Sequence, residues 1–163
     1  MDMRSLEVLL DPESEARVRG QWEALEAAGI SSLALHTSAS NRPHLTLVAG
    51  PELTAPEPGA LGPLPATVDL GAVLLFPHAG RFVLAWGVVR SPALDALHDR
   101  ATRLVPGGVD TSLPDAWTPH ISVSRRLRAE QLGDAVPLLG EPFTVGLAGV
   151  RFWDGDTRTL TDL

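Results

Sequence analysis

The sequence predicts an α+β fold of two pseudo-symmetric lobes of antiparallel sheet, with helices on the outside and a central cleft. Three observations support this prediction. The order strand, helix, histidine-bearing strand occurs twice, and 36 residues separate Val8 from His44 and Leu84 from His120. A segment dense in proline and glycine joins the two copies. We therefore expect residues 1–163 to form a single domain of two pseudo-repeated lobes.

The first half of the chain is predicted to contain a strand, a helix and a second strand. The residues SLEVLL indicate a strand of mixed pattern. A helix is predicted over roughly 13–28, because Asp11-Pro12 is a typical helix start, apolar residues recur at helical spacing, and Gly29 is a typical helix end. A polar loop then leads to the strand HLTLV at 44–48.

The second half repeats this order after a hairpin. ATVDLGAVLLF and RFVLAWGVV indicate two strands joined by a turn at PHAG. Ser91-Pro92 begins a second amphipathic helix, and the strand HISVS follows at 120–124. A short helix is predicted near 129–139, and the chain ends in two strands that turn at the DG of FWDGDT.

The composition limits the possible partners. The formal net charge is −7, and all 13 basic residues are arginine. A long nucleic acid would be repelled by this charge unless a basic patch offset it, so a small nucleotide or an RNA terminus is the more compatible ligand. Because cysteine and lysine are absent, disulfides, thiolate nucleophiles, cysteine-bound metals and lysine Schiff bases are excluded.

The sequence also predicts where the protein works. The residues MDMRSLEVLL lack the long apolar run of a signal peptide, and no segment is long and apolar enough to span a membrane. We therefore expect a cytoplasmic protein without a membrane partner. Separately, we expect a monomer.

The two histidine strands carry the clearest functional pattern. Side chains alternate between the faces of a strand, so His44 and Thr46 share one face and lie about 7 Å apart along the chain. His120 and Ser122 are arranged in the same way. Each strand thus buries aliphatic residues on one face and presents an imidazole and a hydroxyl on the other. One such copy could be a half-buried strand with chance polar residues, but two copies at matching places favour a site.

Two imidazoles that face one cleft suit the cleavage of a phosphodiester at a ribose. This reaction needs a base to deprotonate the attacking hydroxyl or water and an acid to protonate the departing oxygen. Histidine can serve in both forms near neutral pH, because its usual pKa is about 6.5. The hydroxyls of Thr46 and Ser122 can donate to the non-bridging phosphate oxygens. None of these functions requires a metal or a cofactor.

These motifs resemble those of the two-histidine phosphoesterase superfamily, in particular its 2′-5′ RNA ligase-like (LigT-like) family. The His-x-Thr/Ser-x pattern of that family is matched by HLTL at 44–47 and HISV at 120–123, and Arg125 stands where the family often has arginine. Serine replaces the commoner threonine in the second motif. Tyrosine is absent from the chain, so any base-stacking function falls to phenylalanine or tryptophan.

The resemblance implies a bilobal LigT-like fold and a metal-independent activity on RNA or nucleotides. The expected reactions are hydrolysis of 2′,3′-cyclic phosphates, typically to a 2′-phosphate, and cleavage or joining of 2′-5′ linkages. A 2′-phosphate product requires that the P–O3′ bond breaks. We favour His120 as the base and His44 as the acid, although the pseudo-symmetry leaves the opposite assignment open.

Three arginines are candidate phosphate ligands. Arg42 precedes the first motif, and Arg125 and Arg126 follow the second. The family pattern favours Arg125, whereas strand alternation would place Arg126 on the His120 face. The other histidines, in a loop, a hairpin turn and a helix, show no metal-ligand spacing. Trp117 and Trp153 are open to two interpretations, base stacking and packing.

Two further interpretations compete with an enzyme. A nucleotide or RNA-end binding module would keep the cleft and bind a 2′-phosphorylated nucleotide without turnover. A structural or interaction protein would carry the two motifs by coincidence, with the two histidines too far apart to flank one phosphate.

Overall fold

A computed structural model describes residues 2–163, which form seven β-strands and three α-helices. The strands are Arg4–Leu10 (β1), His44–Gly50 (β2), Thr67–His78 (β3), Arg81–Val88 (β4), His120–Leu127 (β5), Thr144–Asp154 (β6) and Thr159–Asp162 (β7). The helices are Pro12–Ala27 (α1), Pro92–Leu104 (α2) and Leu132–Ala135 (α3). Single 3₁₀ turns flank α3 on both sides, so the short helix predicted near 129–139 is a mixture of 3₁₀ and α geometry.

Both long helices begin at the residues that the sequence indicates. The Asp11 carboxylate accepts a hydrogen bond from the Ser14 amide, and proline follows as the first helical residue. The Ser91 hydroxyl caps α2 through the Leu94 amide in the same way. Gly29, just beyond the end of α1, has a φ of +71°, a conformation that glycine adopts without strain.

The strands form one antiparallel sheet in the order β2-β1-β6-β3-β4-β5, with β7 paired to β6. The two histidine strands, β2 and β5, are therefore the two ends of the path. The lobes meet at a seam between β6 and β3, where only 67–69 and 144–146 pair. Nevertheless β2 and β5 contact each other, so the sheet must curve until its ends meet. This architecture confirms the predicted α+β fold of two antiparallel lobes around a cleft.

The equal spacing of 36 residues does not connect equivalent positions of the two lobes. In the sheet, His44 pairs with Leu9 and His120 pairs with Gly87. His44 thus lies 35 residues after its partner, and His120 lies 33 after its own. The pseudo-repeat is a repeat of strand order and pairing, whereas the connecting segments differ in length.

The helices cross from one half of the chain to the other. α1 contacts β5, and α2 contacts β2. The indole of Trp22, on α1, donates a hydrogen bond of 3.2 Å to the Ser122 carbonyl. The indole of Trp117, just before β5, donates one of 3.1 Å to the Thr46 carbonyl. A tryptophan from elsewhere in the chain therefore fixes the backbone of each motif.

Candidate active site

The two motif histidines make the same hydrogen bond. Nδ1 of His44 lies 2.8 Å from the Arg42 carbonyl, and Nδ1 of His120 lies 2.8 Å from the Thr118 carbonyl. A carbonyl oxygen only accepts, so Nδ1 carries the proton in both rings and Nε2 is the atom available for proton transfer. The motif imidazoles are therefore oriented in the same way before any substrate binds.

The local sequence explains why this bond occurs twice. Each motif histidine follows a buried proline, in RPH and TPH. A residue before proline is restricted to extended conformations. Arg42 and Thr118 are such residues, and their carbonyls are the acceptors in the two bonds. The proline was not part of the predicted pattern, and it fixes the backbone that holds each ring.

Both motif strands present the predicted faces. Leu45, Leu47, Ile121 and Val123 are fully buried, whereas the histidine and hydroxyl residues between them are only partly buried. The alternation therefore separates core from cleft as predicted. Ser122 lies on the same face of β5 as His120, although it borders neither of the two cavities described below.

A bulge follows the motif in each strand and reverses the alternation. Between β1 and β2 the register shifts at Leu6/Glu7, and between β4 and β5 it shifts at Leu84/Ala85. In each case the motif strand contains the extra residue, so two consecutive side chains are buried. The residue five positions after each histidine, Ala49 or Arg125, consequently returns to the cleft face.

An apolar cavity of about 310 Å³ borders His120 and Thr46. Its walls include Phe76, Trp117 and Ala49, one from each of three different segments of the chain. The Phe76 ring lies 4.6 Å from the His120 ring, at an angle of 45°. We call this space the apolar cavity, and it has the flat aromatic walls that a nucleobase would contact.

A polar cavity of about 240 Å³ borders His44. Its lining carries two arginines, Arg125 and Arg151, one carboxylate, Glu7, and the Trp153 ring. The side chains of His44 and Thr46 share one face of β2, so the polar and apolar cavities adjoin along that strand.

The surroundings of the two histidines differ in charge. Burial, and to a smaller extent the nearby charge of His44, lowers the pKa of His120, against the opposite effect of its bond to the Thr118 carbonyl. Nε2 of His44 lies 3.6 Å from a carboxylate oxygen of Glu7. A carboxylate thus lies beside His44, whereas none is among the residues that line the cavity beside His120.

Of the three predicted arginines, the structure brings one to the cleft. Arg125 lines the polar cavity beside His44. Arg42 lies elsewhere, since its guanidinium makes two hydrogen bonds to Glu15, of 2.8 and 3.1 Å, and that pairing raises the pKa of Arg42. Arg126 is exposed and lines neither cavity. Strand alternation favoured Arg126, but it assumed a regular strand, and the bulge exchanges it for Arg125.

The remaining histidines and tryptophans fall into separate environments. His36 lines the polar cavity from the loop after α1, and His78 is exposed at the hairpin. His98 is buried and stacks on Trp117, with ring centroids 3.8 Å apart and planes at 4°. Trp117 packs in this way and also lines the apolar cavity, while Trp153 is partly exposed in the polar cavity.

The sequence patterns did not indicate the buried pair Glu7 and Arg151. Glu7 was seen only as part of a mixed strand, SLEVLL, and Arg151 only as part of the last strands. A single charged residue within an otherwise apolar strand is itself a signal, because such residues are seldom buried without a partner. Two strands of this chain carry that signal, and the structure pairs them at 2.7 Å.

Residues 2–163 contain neither a cluster of metal-ligating side chains nor a membrane-spanning helix. Within that range no three histidine, aspartate or glutamate side chains come together as a metal site would require. Over the same residues, the helices are too short or too polar to cross a membrane.

The fold resembles a known structure, although the sequence matches no protein-family model and no curated protein. The structure of Usb1 from Kluyveromyces marxianus superposes with a TM-score of 0.52 at 13% sequence identity. The match covers 99% of this chain and 97% of that one. At this identity the likeness is one of fold, and it supports the fold class predicted from the sequence.

Proposed function

We propose that this protein is a metal-independent phosphodiesterase that acts on 2′,3′-cyclic phosphates or 2′-5′ linkages of a nucleotide or an RNA end. One observation carries the proposal. Two histidines, on strands from opposite ends of the sheet, make the same Nδ1 bond and border two adjoining cavities, His44 the polar one and His120 the apolar one. Each is followed two residues later by a hydroxyl on the same face.

We assign the proton transfers from the two environments: the lowered pKa of His120 suits a base, and the carboxylate beside His44 suits an acid. Neutral His120 accepts a proton from water, and the hydroxide attacks phosphorus. The P–O3′ bond breaks, and His44 transfers its Nε2 proton to O3′. Water is thus divided between phosphorus and O3′, and the product is a 2′-phosphate. Both transfers use imidazoles, so the reaction needs no metal.

The phosphate and the base have plausible contacts in the same cleft. Thr46 and Ser122 can donate to the non-bridging oxygens, where charge accumulates in the transition state. Arg125 supplies a guanidinium that can bind two of those oxygens at once. The aromatic walls of the apolar cavity favour a nucleobase, and the net charge of −7 favours a short ligand over long RNA.

The test is hydrolysis of the four 2′,3′-cyclic nucleotides in EDTA, with the product's phosphate position read by phosphorus NMR. Wild type should give a 2′-phosphate, and His44→Ala or His120→Ala should each lower kcat by at least about 100-fold. His78→Ala removes an exposed histidine at the hairpin and should change nothing. Circular dichroism should show that all three variants fold.

Other outcomes would change the proposed mechanism or the proposed function. Wild-type rates in either active-site variant would overturn the mechanism, and a 3′-phosphate product would show that the departing oxygen is O2′. Tight binding of a 2′-phosphorylated nucleotide without turnover of any cyclic or 2′-5′ substrate would establish a binding module instead.

A further inference from the structure

Next to His44 lies a buried polar network of three side chains. Glu7, on β1, accepts a hydrogen bond of 2.6 Å from the Ser5 hydroxyl and one of 2.7 Å from Nε of Arg151, on β6. Arg151 also donates to the Ser40 carbonyl at 2.8 Å. Glu7 and Arg151 are only 5% and 4% exposed. The carboxylate is thus held from two sides in one position.

The second lobe has apolar residues at all three equivalent positions. In the sheet Thr46 pairs with Glu7, and the corresponding Ser122 pairs with Ala85. Glu7 therefore corresponds to Ala85. On the other side of each strand, Glu7 pairs with Arg151 and Ala85 pairs with Leu74, so Arg151 corresponds to Leu74. Ser5 and Val83 lie two residues before Glu7 and Ala85 and are also equivalent.

This contrast shows that the fold does not require the network. Burying an ion pair gives little or no net stability, and apolar residues of similar volume often stabilise a protein more. The second lobe forms the same strand pairing with Ala85, Leu74 and Val83, of which Leu74 and Val83 are only partly buried. A charged network confined to one lobe, and placed against its motif histidine, therefore points to a functional reason.

The geometry indicates what the network does. Oε1 of Glu7 faces Nε2 of His44 at 3.6 Å, which is close enough for electrostatic stabilisation but beyond hydrogen-bond distance. The Nε2 proton therefore remains free for a substrate oxygen. The other titratable or charged groups that face His44 are His36, His120, Arg125 and Arg151. Glu7 is the single carboxylate among the residues that line this cavity.

We propose that Ser5 and Arg151 hold the Glu7 carboxylate beside His44, and that this carboxylate stabilises the imidazolium of His44 and so makes His44 the general acid. This inference rests on the proposed function and adds to it the reason why two similar histidines take different parts. Glu7 acts through His44 and does not touch the substrate, so it is a positioning residue.

Removal of the carboxylate should change the pH dependence of the reaction. In Glu7→Gln, the arginines face His44 without a compensating negative charge, so the ring loses its proton at lower pH. The alkaline limb of the kcat profile for a 2′,3′-cyclic nucleotide should move down by about one pH unit or more. Glu23→Gln, which removes an exposed carboxylate on α1, should leave the profile unchanged.

A second variant guards against a folding defect, because Glu7→Gln leaves Arg151 buried without its partner. The triple variant Ser5→Val, Glu7→Ala, Arg151→Leu copies the residues of the second lobe and removes both buried charges together, so neither is left without its partner. Arg125 still lines this cavity without a carboxylate, so the alkaline limb should again move to lower pH, by less than in Glu7→Gln.

A substrate with a good leaving group separates positioning from general damage. Bis(4-nitrophenyl) phosphate has no ribose hydroxyl, so water is its nucleophile, and it releases 4-nitrophenolate, which needs no acid. Glu7→Gln should therefore slow the cyclic nucleotide by at least about tenfold at alkaline pH and the nitrophenyl ester by less than about twofold. Equal losses on both substrates would indicate a structural role and overturn the inference.

An NMR titration of the His44 ring tests the inference without any turnover. The midpoint should move to lower pH in Glu7→Gln and in the triple variant. An unchanged midpoint would overturn the inference even if wild type hydrolyses cyclic nucleotides. A shifted midpoint in a protein without turnover would instead leave the network in place and contradict the proposed function alone.

Discussion

The two lobes share their backbone design and differ in the side chains around it. In both, a proline positions the carbonyl that orients the histidine, and a bulge returns a later residue to the cleft. The differences lie in the residues beside the histidines. The first lobe has Glu7, Arg151, Ser5 and Ala49 where the second lobe has Ala85, Leu74, Val83 and Arg125. A repeated backbone can thus orient two imidazoles in the same way, while the residues beside them determine which one acts as the acid and which as the base.

The same comparison separates the two cavities. Each cavity contains residues from both lobes, because Ala49 of β2 borders the apolar cavity and Arg125 of β5 borders the polar one. The ring positions are also equivalent, since Phe76 pairs with Val83 as Trp153 pairs with Ser5. Aromatic walls are thus common to both sides, and charge distinguishes them.

The largest effect in this comparison is expected from Arg125. Arg125→Ala should lower kcat/KM by about 10- to 100-fold, because a hydrogen bond to a charged group contributes roughly 1.5–3 kcal/mol. Arg126→Ala, one residue further and outside both cavities, should lower it by less than about twofold. Steady-state kinetics on a cyclic nucleotide measures both. The reverse order would mean that β5 is regular in solution and that the bulge does not form.

A smaller effect is expected from the two tryptophans that fix the motif backbones. Trp22→Phe and Trp117→Phe each remove one indole donor to a motif carbonyl. Each should lower the free energy of unfolding by about 1 kcal/mol, which corresponds to a Tm shift of about 2–4 °C.

Kinetics then distinguish the two tryptophan variants. Trp117 lines the apolar cavity, so Trp117→Phe should also raise KM for a nucleotide, whereas Trp22→Phe should not. Calorimetry and steady-state assays measure the two quantities. An equal rise of KM in both would show that the cavity wall is not what binds the base.

The smallest effect concerns His98, which stacks on Trp117. Burial most of all, with the charge of Arg90, lowers the pKa of His98, while the backbone of Ser112 and the charge of Asp95 oppose this. The unfolded chain therefore binds the proton more readily, and the contribution of His98 to stability is lost as the pH falls below about 6.5.

Urea unfolding at pH 7.5 and 5.5 measures that contribution. His98→Phe should lose less stability between the two pH values than wild type does, although His120 contributes in the same direction in both proteins. A steeper pH dependence in the variant would contradict the argument.

The sequence predicted what depends on local patterns. The two amphipathic helices, their capping residues and the alternation in each motif strand all follow from residues close together in the chain. The strand order, helix order and fold class could be predicted for the same reason, since the pattern occurs twice.

The rest depends on contacts between distant residues. Glu7 and Arg151 lie 144 positions apart, and their pairing follows from which strands become neighbours. The bulges follow from the register between strands, so Arg125 could not be preferred over Arg126 on alternation alone. Arg42 lies outside the cleft because it pairs with Glu15 on α1, and no local sequence pattern connects these two residues.

The narrow seam between β3 and β6 has a mechanical consequence. Three residue pairs join the lobes there, two further backbone hydrogen bonds flank them, and the Thr144 hydroxyl donates one of 2.6 Å to Asp69. Each motif strand lies two strands beyond the seam, a lever arm of roughly 12 Å at a strand spacing of about 4.8 Å. A hinge rotation of about 5° would therefore displace a histidine by about 1 Å, a shift that can slow catalysis about 100-fold. The contacts that bridge the seam, of α1 with β5, of α2 with β2 and of β2 with β5, therefore set how constant the gap between acid and base remains during thermal motion.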